Sequence, residues 1–140
     1  MGTARASSTC GKIWVVLLCV MVFAQREEGG GVGMGAEETR VWHVGDNAGW
    51  SFGVMGWPNY KPFEAGDVLL FHYKPGTHNV VQVSSVQYAL CQVSGNVTVW
   101  SSGDDRVTLA RGMSFFVSNI PGDCERGIKI AVTARAVEGI

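Results

Sequence analysis

Turn clusters cut the second two-thirds of this chain into short pieces, and that punctuation constrains the fold more than any other feature. Gly45-Asp46-Asn47-Ala48-Gly49, Ala65-Gly66-Asp67, Lys74-Pro75-Gly76 and Ser101-Ser102-Gly103-Asp104-Asp105 are runs in which a regular element cannot continue. Between them lie short stretches rich in β-branched and aromatic residues. These are Thr39–Val44, Val68–Tyr73, Asn79–Val83, Val97–Trp100, Arg106–Leu109, Ser114–Val117 and Gly127–Ala134. Several alternate. Val41 and His43 point one way and Trp42 and Val44 the other, while Ile128, Ile130 and Val132 share a face. About seven short strands predict an all-β sandwich or barrel. Only Trp57–Phe63 and Val86–Leu90 leave room for a helical turn, and no internal repeat or heptad is present.

The first third of the chain reads differently. Arg5 and Lys12 precede an unbroken apolar run, Ile13–Ala24, which is the layout of a secretory signal peptide over residues 1–24. The run is too short to cross ~30 Å of hydrocarbon as a helix. Cleavage is expected after Ala24, with Ala36 as a second candidate. Residues 25–38 hold five glycines between Gly29 and Gly35 and read as a linker without a defined path. One folded domain is then expected at 39–136, with a short tail at 137–140. No lipid-anchor signal is read at the C-terminus, where a polar spacer and an apolar tail would be needed. The expected product is a secreted, extracellular protein of the apoplast or cell wall, without a membrane anchor.

Removal of the leader takes Cys10 and Cys19 with it. Cys91 and Cys124 remain, an even pair in an oxidising compartment, so a disulfide is the expectation. Two distant cysteines are too few ligands for a structural metal. Asn96-Val97-Thr98 is an N-glycosylation sequon that a secreted chain would expose to the modifying enzyme. Hydrophobic residues make up 46% and charged residues 16%, a balance that favours a packed core over disorder. From Glu37 onward there are 8 basic and 10 acidic side chains, a net charge of −2. That removes the electrostatic footprint of a nucleic-acid binder. A monomer is expected.

No G-x-S-x-G, H-E-x-x-H or P-loop occurs, so no catalytic site is expected and the chain does not read as an enzyme. His72 and His78 flank the Pro75-Gly76 turn. Asp104-Asp105 reads as a solvated carboxylate pair on a turn.

Several segments together resemble the phytocyanins, the plant cupredoxins. They are Val44-Gly45-Asp46-Asn47-Ala48-Gly49-Trp50, Gly56-Trp57-Pro58, Phe63–Phe71, Thr77–Val83, and Ser118–Val132 with its Pro121-Gly122 and Cys124. The resemblance runs from about Val41 to Val132. Gly-Trp-Pro and Lys-Ile-Ala-Val are most similar to the plantacyanin or basic blue type. It implies a cupredoxin-like Greek-key sandwich and a copper site of two histidines, one cysteine and an axial methionine.

Carried onto this chain, the four ligand positions are His78, Ser118, Asp123 and Ile128, and only His78 matches. A blue-copper centre needs a thiolate, whereas a serine hydroxyl stays protonated near neutral pH and isoleucine has no donor atom. His78 with Asp123 offers at most one nitrogen and one oxygen, a weak site. No metal and no cofactor are therefore expected. The expected function is a copper-free extracellular interaction or signalling module, with an unknown extracellular protein or cell-wall component as partner. The competing expectation is a blue-copper electron-transfer protein, for which copper would be the cofactor.

Overall fold

Each strand here is short enough that its place is fixed by what flanks it, and the flanking turns assemble two sheets. The structure, a computed structural model, describes residues 39–137. The expected signal peptide, the whole Gly-rich segment 25–38 and residues 138–140 lie outside the described residues. Among the described residues there are seven strands, β1 (Val41–His43), β2 (Val68–His72), β3 (Val80–Val83), β4 (Thr98–Trp100), β5 (Asp104–Thr108), β6 (Gly112–Val117) and β7 (Lys129–Ala134). One helix, α1 (Ser85–Leu90), and two 3₁₀ turns, Asp46–Ala48 and Val54–Gly56, complete the elements.

The first sheet has the order β1-β2-β5 and the second β4-β3-β6-β7. β1 lies parallel to β2, with Val41 opposite Val68, and the remaining pairs are antiparallel. Alternation then divides the side chains. Trp50, Phe63, Leu69, Phe71, Val80, Phe116, Ile128, Ile130 and Val132 are buried in the core between the sheets. Val81 and Val117, the next residues along β3 and β6, face the other way into a second cluster with Cys124, Tyr88 and Cys91. The four-stranded sheet is thus apolar on both faces, and α1 covers the outer one.

α1 starts on a capping box. The Ser84 hydroxyl accepts from the Gln87 N–H at 3.2 Å, and the Gln87 side chain accepts from the Ser84 N–H at 3.0 Å. It ends at Cys91, whose left-handed backbone (φ 53°) turns the chain away. Cys91 is bonded to Cys124, with 5.7 Å between their Cα atoms. The bridge joins the end of α1 to the loop between β6 and β7. A closed loop of this size contributes roughly 3–4 kcal/mol in the chain-entropy picture.

Two glycines hold the end of β2. A Cβ on Gly49 (φ +72°) would lie 2.6 Å from the His72 carbonyl oxygen, and one on Gly103 (φ +90°) would lie 2.7 Å from that of Tyr73. The close approach lets backbone bonds form: Trp50 N–H donates to His72 O, and Tyr73 N–H donates to Gly103 O. These contacts aim the chain into the turn that carries His78.

Some local expectations shift. The helical turn expected in Trp57–Phe63 is formed earlier, at Val54–Gly56, and the turn cluster after Gly45 contains its own 3₁₀ turn. Strand β5 begins at Asp104, two residues before the expected start. The reading of Asp104-Asp105 as a solvated turn pair is corrected for Asp105. It is buried on the inward side of β5 and accepts from the Tyr73 hydroxyl at 2.5 Å and the Ser102 hydroxyl at 2.5 Å. Burial, together with the Asp105 acceptor, pushes the Tyr73 hydroxyl well above the ordinary tyrosine range.

At the other end of the sandwich, Asp67 gathers β1, the turn before β2 and the 62–64 segment. It accepts from Trp42 Nε1 at 2.8 Å, the Glu64 N–H at 2.9 Å and Arg40 Nη2 at 3.0 Å. Burial alone would raise its pKa; the Trp42, Glu64 and Arg40 donors outweigh it and hold the carboxyl below the ordinary value. A lowered folded pKa means that the stabilisation is present above the unfolded value and lost as pH falls through the folded one. Asp67→Asn should cost about 1–3 kcal/mol at pH 7. In urea unfolding the gap to the parent should close below about pH 4. A gap independent of pH would contradict the assignment.

Candidate functional site

The resemblance points to four positions, and three of their side chains meet. His78 ends the Pro75-Gly76 turn, two residues before β3. Ser118 follows β6 directly, and its N–H donates to Ile128 O at 3.0 Å. Between them the loop 119–127 folds on itself around Pro121-Gly122. Asp123 N–H donates to Ile120 O at 2.9 Å and Ile128 N–H to Asp123 O at 3.0 Å. Gly122 takes the positive φ (+85°) that this tight turn requires.

The loop aims the Asp123 carboxylate inward. Its Oδ2 lies 2.6 Å from His78 Nδ1 and accepts from Ser118 Oγ at 2.7 Å. A carboxylate oxygen accepts, so Nδ1 is the donor of the first bond and Nε2 is left for other contacts. Ser118 is fully buried, Asp123 is 5% exposed, and Ser118 Oγ also accepts from the Asn79 N–H at 3.3 Å. Asn79 and Asn119 close the rim: Asn79 Nδ2 donates to Asn119 Oδ1 at 2.7 Å and Asn119 N–H to Asn79 Oδ1 at 2.8 Å. Ile128 is fully buried in the core between the sheets, and its backbone N–H and carbonyl bond to Asp123 O and Ser118 N–H.

This order of partners is not a hydrolytic triad. In such a triad the histidine stands between the nucleophile and the carboxylate, and the nucleophile is open to substrate. Here the carboxylate stands between the other two, and the hydroxyl is sealed. Nor is the donor set that of blue copper, which combines one thiolate with two imidazoles. The single imidazole faces a carboxylate, the hydroxyl spends its proton on the same oxygen, and the fourth position is hydrocarbon. His72 is exposed at the end of β2, paired in register with Asp104, and takes no part in the group.

Outside this group the surface turns apolar. The exposed Phe52 ring meets the His78 ring edge-on at 5.7 Å, and the Arg126 guanidinium lies 5.7 Å from the Phe52 centroid. Beside Arg126, Met55 and Leu90 flank a surface hollow of about 540 Å³ whose floor includes the disulfide. Phe52 is 50% and Leu90 59% exposed. Lys129, at the edge of this hollow, is held by Tyr88: its ammonium donates to the Tyr88 carbonyl at 2.9 Å and lies 4.5 Å from the ring centroid. Asn96 is exposed in the turn before β4, and Thr98, the first residue of β4, is also exposed. No helix among the described residues is long and apolar enough to cross a membrane.

Sequence reasoning did not find Asp105, Phe52 or Arg126 as parts of this end of the molecule. For Asp105 a signal existed: stepping back by twos from Leu109 and Val107 puts it on the inward face of β5. For Phe52 and Arg126 none existed, because both lie in turns and meet only in the folded chain.

Comparison with known proteins follows the same lines. Residues 39–128 match a family model described as a plastocyanin-like domain. Chemocyanin of Lilium longiflorum is 53% identical over 97 residues, which cover 69% of this chain and 77% of the relative. A basic blue protein of Arabidopsis thaliana is 46% identical over 97 residues, 69% of this chain and 75% of the relative. Among solved structures, cucumber basic protein, a blue copper protein, superposes with a TM-score of 0.66 at 45% identity. It covers 67% of this chain and 98% of its own. Spinach plantacyanin gives a TM-score of 0.59 at 47% identity, covering 62% and 94%.

Proposed function

The chain belongs to the plastocyanin-like phytocyanin family, and on that premise we propose that it is a secreted member which works without a blue-copper centre, as an extracellular interaction or signalling module. The observation that carries this reading is the use of the ligand positions. Asp123 Oδ2 binds both His78 Nδ1 and Ser118 Oγ, and Ile128 offers no donor atom. Electron transfer through a blue centre needs a short bond from copper to a thiolate, and no thiolate stands here.

What remains for the molecule to use is its surface. Phe52, Met55 and Leu90 form an apolar strip around Arg126 at the His78 end. Exposed aromatic and aliphatic groups beside an arginine are the composition of an interface anchor. The occupant in this reading is an extracellular protein or a cell-wall component. An apolar leader before the Gly-rich stretch and an exposed sequon at Asn96 support the secreted assignment. The charge of −2 from Glu37 onward gives acidic wall polymers little hold, so the apolar strip carries the contact.

Three measurements test this. The triple variant Ser118→Cys, Asp123→His, Ile128→Met restores the family's donor set at positions five residues apart, on a loop still shaped by Pro121-Gly122 and tied by Cys124. Refolded with Cu(II), it should turn blue while the parent stays colourless. A folded but colourless triple variant would show that the loop no longer has the geometry the family uses. Intact mass of the secreted protein should show a chain lacking its leader and carrying an endoglycosidase-sensitive addition on Asn96; an unmodified full-length mass contradicts secretion. Phe52→Asp with Leu90→Asp should weaken binding to cell-wall and cell-surface preparations by roughly 2 kcal/mol or more with the melting temperature kept. Unchanged binding would remove the strip from the account.

A further inference from the structure

We propose that Asp123 is a positioning residue that takes over the mechanical role of a metal ion, clasping the closing loop 118–128 to the segment that carries His78. The proposal rests on the copper-free reading and extends it. A metal with ligands from both places would tie them through one atom. Here one oxygen, Asp123 Oδ2, does the same: it receives Nδ1 of His78 from one side at 2.6 Å and Oγ of Ser118 from the other at 2.7 Å. Hydrogen bonds to an ionised acceptor are shorter and stronger than neutral ones. The group is also closed. Asp123 and Ser118 are buried, the His78 side chain is 14% exposed, and no buried side-chain nitrogen or oxygen among the described residues lacks a partner.

The three residues therefore depend on one another. Without Asp123, the His78 N–H and the Ser118 O–H would lose the one oxygen that they share. Without His78, the carboxylate would keep only the hydroxyl. An unpaired buried group costs more than a made bond returns, so substitution at one corner removes the function of the others. The disulfide cannot replace this tie. It joins Cys124 to the end of α1, while the hydrogen bonds from the loop to the His78 segment among the described residues are His78–Asp123, Asn79–Ser118 and Asn79–Asn119. The clasp also fixes what the surface presents. With Nδ1 turned inward, the His78 ring stands edge-on to Phe52, and Phe52 lies under Arg126. A buried carboxylate thus holds the exposed strip in one arrangement.

Amide hydrogen exchange of residues 119–127 in the intact secreted protein tests the clasp. In His78→Ala and in Asp123→Ala the loop amides should exchange roughly 10- to 100-fold faster, with β2 and β5 unchanged. The double variant should be no faster than Asp123→Ala alone. Asp123→Asn, which keeps the shape and one acceptor, serves if the alanine variant does not fold, and should give an intermediate rate. The imidazole nitrogen resonances of His78 add a reading that general loosening would not move: a proton fixed on Nδ1 in the parent, and no fixed tautomer in Asp123→Ala. Equal loop exchange in parent and variants, additive effects in the double variant, or an unchanged His78 tautomer would each overturn the clasp. Added copper that slows loop exchange in the parent would instead contradict the copper-free reading beneath it.

Discussion

One carboxylate oxygen receives two hydrogen bonds in a space almost closed to water, and the end of this sandwich is organised around it. Asp123 arrives on the loop between β6 and β7, Ser118 at the end of β6, and His78 from the turn before β3. Neither short range nor periodicity brings them together. The four-stranded sheet does, because β3 pairs with β6 and β6 with β7, so the ends of three strands open on the same side. The low-dielectric setting strengthens each bond and makes each indispensable. A polar group of this kind survives in a core only when every member is satisfied, and here every one is.

The same frame keeps the packing of the fold apart from the polar group at its end. The core between the sheets, Trp50, Phe71, Phe116, Ile130 and their neighbours, packs without using any of the three polar residues. The Cys91–Cys124 bridge and the Asp67 cluster fasten other parts of the sandwich. Three of the four family ligand positions, 78, 118 and 123, lie outside that core cluster, and the chain is 45–53% identical to its plantacyanin-type relatives.

Much of this was legible from residues alone. Alternation grouped the faces at the first and last strands as the fold does, since Ile128, Ile130 and Val132 are all buried and Val44 is buried where Val41 is exposed. Turn chemistry placed the breaks, and Cys91 with Cys124 formed the expected bridge. The start of β5 was missed because Asp105 is a turn former by type, yet Tyr73 and Ser102 give it partners that only the fold supplies. The ligand positions were readable through resemblance, and their chemistry through residue type. The convergence of His78, Ser118 and Asp123 on one oxygen was not, because it depends on a contact spanning 45 residues.

The claim that everything else depends on is that this chain does not hold copper as its relatives' scaffold would. The most direct measurement is copper content and visible absorption of the purified parent protein, after equilibration with Cu(I) or Cu(II) and dialysis. The account predicts copper far below one per chain and no intense visible band. One retained copper per chain with a blue thiolate-type band would contradict it.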